Sequence, residues 1–279
     1  GEYVQQAVKF TNLSSFEIVD SVEHSNFDPS GDDHDITYWG SIFGTNASRT
    51  KVYAGGIMEG VSLVSGHRHM GIQILSSGSA NGWEKEGEMT GSCGGTAGAD
   101  SQYYYNGVFD FNDEYAVLGI PTATTDNHRT GRVYIYKKTG ATWADNEVVQ
   151  TLNGSASYDL AGITQAPSTR FQDKLLFGRG VRINSNNDIM ISAPHFYVTG
   201  MEHKAGLVMF LTKSSDGSDE WGYQSHHTGS VQASTNTYTY PSSAAMFTPR
   251  YFGTDRAIVT APSGSRWSMG FETFKNQEI

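Results

Sequence analysis

One phrase recurs four times along this chain: a short β-rich run ending in Ala-Pro or its equivalent, a loop of varying length, then a glycine that opens a second apolar and aromatic run. The copies are KVYAGG (51–56) with GIQIL (71–75), EYAVLGIP (114–121) with GRVYIY (131–136), DIMISAP (188–194) with GLVMFL (206–211), and RAIVTAP (256–262) with GFETF (270–274). They stand about 60 to 75 residues apart, and self-similarity at such a period marks a repeat architecture. No unit of a repeat fold can bury its apolar surface alone.

A tryptophan follows each of the first three glycines at a similar distance: Gly71 leads to Trp83, Gly131 to Trp143 and Gly206 to Trp221. A polar stretch and a further strand come next, most clearly EVVQTL (147–152), so each unit reads as about four short strands. The three tryptophans are expected at equivalent positions, packed between units rather than meeting a ligand.

The runs are short, rich in Val, Ile, Tyr and Phe, and bounded by Gly, Pro, Asn or Ser, which are strand signals. The second strand of each unit is almost wholly apolar and should be covered on both faces. The third alternates, with Val133 and Ile135 turned one way and Arg132, Tyr134 and Tyr136 the other. Four-stranded sheets that stack radially make a β-propeller. The expected fold class is therefore all-β, a single propeller domain over 1–279 with units at roughly 21–90, 91–160, 161–232 and 233–279 together with 1–20. The last unit lacks an outer strand after its third, and EYVQQAVKF (2–10), which resembles EVVQTL, is expected to pair there and close the ring. A larger ring whose other blades lie outside this sequence is the alternative. The start at Gly1 without Met reads as either a removed leader or a fragment of something longer.

Composition supports an all-β chain, since 32 of 279 residues are glycine and no window carries a helix start, a helical apolar stripe and helix formers together. Lys and Arg total 19 against 29 Asp and Glu, a formal charge of −10, which repels phosphate backbones and argues against nucleic-acid binding. No apolar run approaches the eighteen or so residues of a membrane span. Cys93 is the single cysteine, so no internal disulfide forms. The sequons at Asn12, Asn46 and Asn153 are about what chance supplies.

The order of elements resembles the FG-GAP repeat, the blade unit of integrin-α-type β-propellers, in which Phe-Gly opens the blade, a loop often binds calcium, a strand ends in Gly-Ala-Pro, and a glycine starts the next strand. The third unit is nearest, with Phe177-Gly178, Val181, the polar loop 184–188, Ala193-Pro194 and Gly206. The second matches at Gly119-Ile120-Pro121 and Gly131, and the fourth at Phe252-Gly253, Ala261-Pro262 and Gly270. The first has Gly55-Gly56 in place of Ala-Pro. The resemblance covers about residues 36 to 279. It implies a non-catalytic binding or adhesion module on an extracellular, cell or virion surface, with a protein or glycan partner.

The family's calcium loop needs several oxygen ligands, because Ca²⁺ takes six to eight. The matching positions here are Asp110, Asn112 and Asp113 in the second unit, Asn184, Asn186 and Asp188 in the third, and Asp255 alone in the fourth. These are the candidate metal ligands, few in carboxylates, and no other cofactor is expected. The acidic stretch Asp28 to Asp35 reads as a solvated turn, and His67 with His69 lacks a visible third ligand. SSDGSDEW (214–221) nearly spells the S-x-D-x-G-x-x-W hairpin of sialidase-like propellers, a structural element, with Ser218 where the glycine belongs. No G-x-S-x-G, H-E-x-x-H, P-loop or dinucleotide fingerprint is present.

Equivalent loops of a propeller emerge on one face. Those joining the second and third strands, 57–70, 122–130, 195–205 and 263–269, carry Arg68, Arg129, Lys204 and Arg266, one cation per unit, with His128 among several histidines and Phe196, Tyr197 and Trp267 as aromatic faces. On an acidic body this makes a mildly basic, aromatic mouth suited to an acidic glycan or an acidic protein loop. Two rival readings stay open: a structural subunit of a larger assembly, and a carbohydrate-active enzyme with convergent carboxylates.

Overall fold

The computed structural model describes residues 4–12, 15–23, 35–46, 50–59, 69–77, 83–93, 108–124, 130–154, 175–194, 206–228, 248–253, 256–263 and 268–275. Apart from turns these are strands, and no helix of the described residues is long and apolar enough to cross a membrane. Two strands, β1 (Val4–Asn12) and β2 (Ser15–Glu23), pair with each other. Four-stranded antiparallel sheets follow in chain order. The first is β3 (Asp35–Thr45), β4 (Lys51–Glu59), β5 (His69–Ser77) and β6 (Trp83–Ser92). The second is β7 (Val108–Phe111), β8 (Tyr115–Ile120), β9 (Arg132–Lys138) and β10 (Asn146–Asn153). The third is β11 (Gly180–Ile183), β12 (Ile189–Ala193), β13 (Leu207–Lys213) and β14 (Trp221–Thr228). A three-stranded sheet of β15 (Thr248–Phe252), β16 (Arg256–Ser263) and β17 (Ser268–Lys275) ends the series.

The four recurring phrases are thus the second and third strands of four meander sheets, as their residue types demand. β8 and β12 are buried along their whole length, as expected of strands covered on both faces. In β9, Val133 and Ile135 are fully buried while Arg132 and Tyr134 are half-buried, and Tyr136 is buried as well.

Residues 2–10 were expected to complete the last sheet; in the structure β1 pairs with β2, Val4 opposite Glu23 and Phe10 opposite Phe16, and the described last sheet has three strands. The β1–β2 hairpin forms readily because a short turn costs little closure entropy.

The described chain divides into two compact units, 1–101 with 138–147, and 102–137 with 148–279. The tip of the β9–β10 hairpin therefore belongs with the first unit. There Trp143 is fully buried, the Lys138 ammonium lies 5.9 Å from its ring centre, and its backbone packs on Gly87 of β6, where any side chain would collide with it. The Asn146 amide Nδ2 ties the contact by donating to the Trp143 carbonyl (2.7 Å) and the Glu88 carbonyl (3.0 Å).

In the second unit one core joins the second and third sheets: Tyr115, Val117, Val133, Ile135 and Leu152 meet Val181, Ile183, Ile189, Ile191, Leu207, Met209 and Leu211. Phe177 sits in this core. Trp221 closes it, edge-on to Tyr115 at 4.9 Å, with its Nε1 donating to the Asn187 carbonyl at 2.6 Å. Trp221 and Trp83 open the fourth strands of their sheets, paired with Lys213 and Ser77. Trp143 does not share that position, because it lies in the turn ahead of β10. Trp221 packs in the core shared by the second and third sheets, and Trp143 is fully buried at the tip of the β9–β10 hairpin.

Candidate functional site

The two ends of the sheets in the second unit have different chemistry. At one end lie the turns that join first and second strands, and those of the second and third sheets are each built on an asparagine. The Asn112 Oδ1 accepts the backbone N–H groups of Glu114 (2.9 Å) and Tyr115 (2.8 Å), while its own N–H donates to the Tyr115 carbonyl. Asn184 repeats the device with Asn186 (2.9 Å) and Asp188 (2.8 Å), and its N–H donates to the Asp188 carbonyl. In the first unit Asn46 does the same with the Lys51 N–H (2.9 Å). The short amide side chain can close a turn in place of backbone, which is why asparagine is favoured there.

The same side chains link successive sheets. The Asn112 Nδ2 donates to the Asn184 carbonyl (2.9 Å) and the Asn187 Oδ1 (2.7 Å), and the Asn184 Nδ2 donates to the Gly253 carbonyl (3.2 Å). Each amide thus reaches the equivalent turn of the next sheet. Asn187, in the left-handed conformation at φ 67°, also donates to Glu114 at 3.2 Å.

These turns hold five of the candidate metal ligands, Asn112, Asp113, Asn184, Asn186 and Asp188. Asn112, Asn184, Asn186 and Asp188 lie in one hydrogen-bonded row, so the two loops expected to act separately are neighbours. Oxygens of Asn112 and Asn184 are engaged by backbone N–H groups, and the Asp188 Oδ2 accepts the Asn184 amide at 3.1 Å. Asp113 is exposed on its turn. Asp110 on β7 accepts the Ile183 N–H of β11 at 3.0 Å, and burial pushes its pKa above the ordinary carboxylate value against the pull of Arg182. Among the described residues no group of three or more His, Cys, Asp or Glu is gathered so as to hold a metal ion. Asp255 is outside the described residues.

Because the strands are antiparallel, β8, β12 and β16 run away from this row, and the connections that follow them leave from the opposite end. Gly119, late in β8, lies against Gly178, just before β11, where a Cβ on either would meet the other's backbone. The Phe-Gly pair of the third unit is thereby explained. Phe177 fills the core, its N–H donates to the Thr130 carbonyl (3.2 Å), and Gly178 at φ 84° slips between Gly119 and Val133. Phe252-Gly253 does not match it, because that pair ends β15 and sits in the asparagine row.

The connections expected to carry the mouth in this unit are those that follow β8, β12 and β16. Arg68, His128, Arg129, Phe196, Tyr197, Lys204, Arg266 and Trp267 are all outside the described residues, as is His67. What the structure shows is the base on which the second unit's loop stands. The Gly131 N–H donates to the Ala123 carbonyl (3.0 Å), joining the two ends of the β8–β9 connection, and Ala123 and Thr130 are buried. Arg132, assigned only to a face by alternation, is the residue that sequence reasoning missed here.

A second missed cluster ties the second and third sheets. Asp219, in the turn before β14, accepts the Tyr115 hydroxyl (2.5 Å) and the ammonium groups of Lys137 (2.7 Å) and Lys213 (3.4 Å). SSDGSDEW is indeed a closed hairpin: the Asp216 Oδ1 accepts the Ser214 hydroxyl (2.7 Å) and the Ser218 N–H (2.9 Å), with Gly217 at φ 87° taking the left-handed position. The Lys137 hydrogen bond, then that of Tyr115, holds the Asp219 pKa below its ordinary value. A depressed carboxylate adds stability that is fully present above its unfolded pKa, about 3.9, and lost as pH falls through the folded value. Asp219→Asn is therefore expected to cost about 1 kcal/mol at pH 7 in thermal unfolding, the groups being partly exposed, with the difference from the parent shrinking as acid protonates the carboxylate. Equal stability of the two proteins at pH 7 would reject this clamp.

The sequons at Asn46 and Asn153 fall on side chains with structural duties: the Asn153 Oδ1 accepts the Arg132 Nε at 2.9 Å. No protein-family model and no curated protein matches this chain, so the likeness to FG-GAP repeats rests on the residues quoted above.

Proposed function

We propose that this chain is an FG-GAP-like β-propeller that works as a non-catalytic recognition or adhesion module on an extracellular or virion surface, binding an acidic glycan or an acidic loop of a partner protein. One observation carries the reading. Within the second unit, the asparagine row gathers the first turns of three successive sheets at one end, so the β8–β9, β12–β13 and β16–β17 connections leave together from the other. Those connections hold His128, Arg129, Phe196, Tyr197, Lys204, Arg266 and Trp267 in a chain of net charge −10. Cations steer an acidic partner, and aromatic faces supply contact area at small entropic cost. Propellers host adhesins, lectins and enzymes alike, so the site rather than the fold must decide.

The test is a screen of the intact chain against sialylated, sulfated and neutral glycans and a panel of surface proteins, repeated with two double variants. Arg266→Ala with Trp267→Ala and Arg129→Ala with Lys204→Ala should each weaken any hit at least tenfold, and added salt should weaken it further. A hit that survives both pairs but is lost on changing Glu114 and Asn186 at the opposite end places the site there instead.

A further inference from the structure

We infer that Arg132 is the positioning residue at the base of the β8–β9 connection, fastening Thr124 and Gly131 to the outer strand β10. Arg132 opens β9, directly after the connection ends. Its Nε donates to the Asn153 Oδ1 on β10 (2.9 Å), its Nη2 to the Thr124 carbonyl (3.2 Å) and its Nη1 to the Tyr134 hydroxyl (3.1 Å). One guanidinium thus joins the start of the connection, the strand after it and the edge strand of the sheet.

Around this joint the backbone is already drawn together. The Gly131 N–H donates to the Ala123 carbonyl, the Ala123 N–H donates to the Ile120 carbonyl (3.1 Å), and the Thr130 carbonyl accepts the Phe177 N–H from the neighbouring sheet. The connection narrows to a neck between Ala123 and Gly131, and Arg132 is its side-chain rivet. The residue type suits the task. A guanidinium holds its donors in a rigid planar fork and can keep three acceptors at fixed mutual angles, whereas the lysine ammonium is a point charge on a flexible stem. Fixing the two ends of a connection leaves less freedom to be lost when a ligand engages it. That consequence for binding rests on the mouth proposed above; the neck itself does not.

Amide hydrogen exchange of the intact chain, without ligand, tests the neck. Arg132→Lys and Arg132→Ala should each speed exchange at the Gly131 and Ala123 amides tenfold or more, with the core amides of Val117 and Ile135 unchanged. Asn153→Ala, which removes one acceptor and leaves the arginine, should give a smaller rise at the same two amides. Wild-type protection of Gly131 in both Arg132 variants, or its full restoration by lysine, overturns the inference. If Arg132→Ala also exposes Val117 and Ile135, the sheet has opened and Asn153→Ala decides: a local rise supports the neck, and no rise overturns it. A loosened neck with undiminished ligand capture in the glycan and protein screen supports the neck and removes the mouth.

Discussion

Trp143→Ala is expected to remove about 3–5 kcal/mol of stability, enough to leave much of the chain unfolded at physiological temperature. The ring is fully buried, so truncation forfeits its transfer energy and leaves a cavity that the surrounding sheet cannot refill. The backbone around it cannot relax to compensate. It is pinned on Gly87 of β6, and the Asn146 amide spans the Trp143 and Glu88 carbonyls. Denaturant titration should show a lower midpoint, and Gly87→Ala should act in the same direction because its methyl group would strike the Trp143 carbonyl. A Trp143→Ala protein that melts within a degree or two of the parent would falsify the assignment of this side chain to packing.

Gly131→Ala is expected to destabilise by about 3 kcal/mol or more, from two independent causes. Gly131 sits at φ 86°, a conformation that costs an L side chain about 1–2 kcal/mol. Its missing Cβ is also replaced by protein: a methyl group there would collide with the backbone N and O of Phe177, with which Gly131 forms an isolated parallel bridge. Gly217→Ala is the control. It shares the positive φ, at 87°, but a Cβ there would meet nothing within 4 Å, so it should show the conformational cost alone. Equal melting temperatures for the two variants would mean that the contact with Phe177 contributes nothing.

The strands were the most legible part of the chain, because a strand announces itself locally. EYAVLGIP and DIMISAP are runs of apolar residues bounded by breakers, and they became β8 and β12 with every residue buried. The glycines that open third strands were legible too, and their structural meaning is a positive φ at Gly131 and Gly206. What misled was likeness without context. Phe252-Gly253 has the letters of Phe177-Gly178 but ends a first strand instead of preceding one. EYVQQAVKF resembles an outer strand yet pairs with the strand next to it in sequence. Trp143 follows its glycine by 12 residues where Trp221 follows by 15, so it falls in the turn ahead of β10 instead of on the fourth strand.

By itself, the sequence determined an all-β chain of repeated meander sheets, through side-chain period and turn residue types that act over a handful of neighbouring residues. Only the tertiary structure decided which groups meet. Asn112 reaches Asn184 across 72 residues and Tyr115 reaches Asp219 across 104, and Arg132 gathers Thr124 from the connection after β8 and Asn153 from β10. The reason is physical: a hydrogen bond or ion pair of this kind depends on the stacking and register of whole sheets, which are set by the summed burial of many apolar side chains and leave no mark at the positions that happen to be brought together.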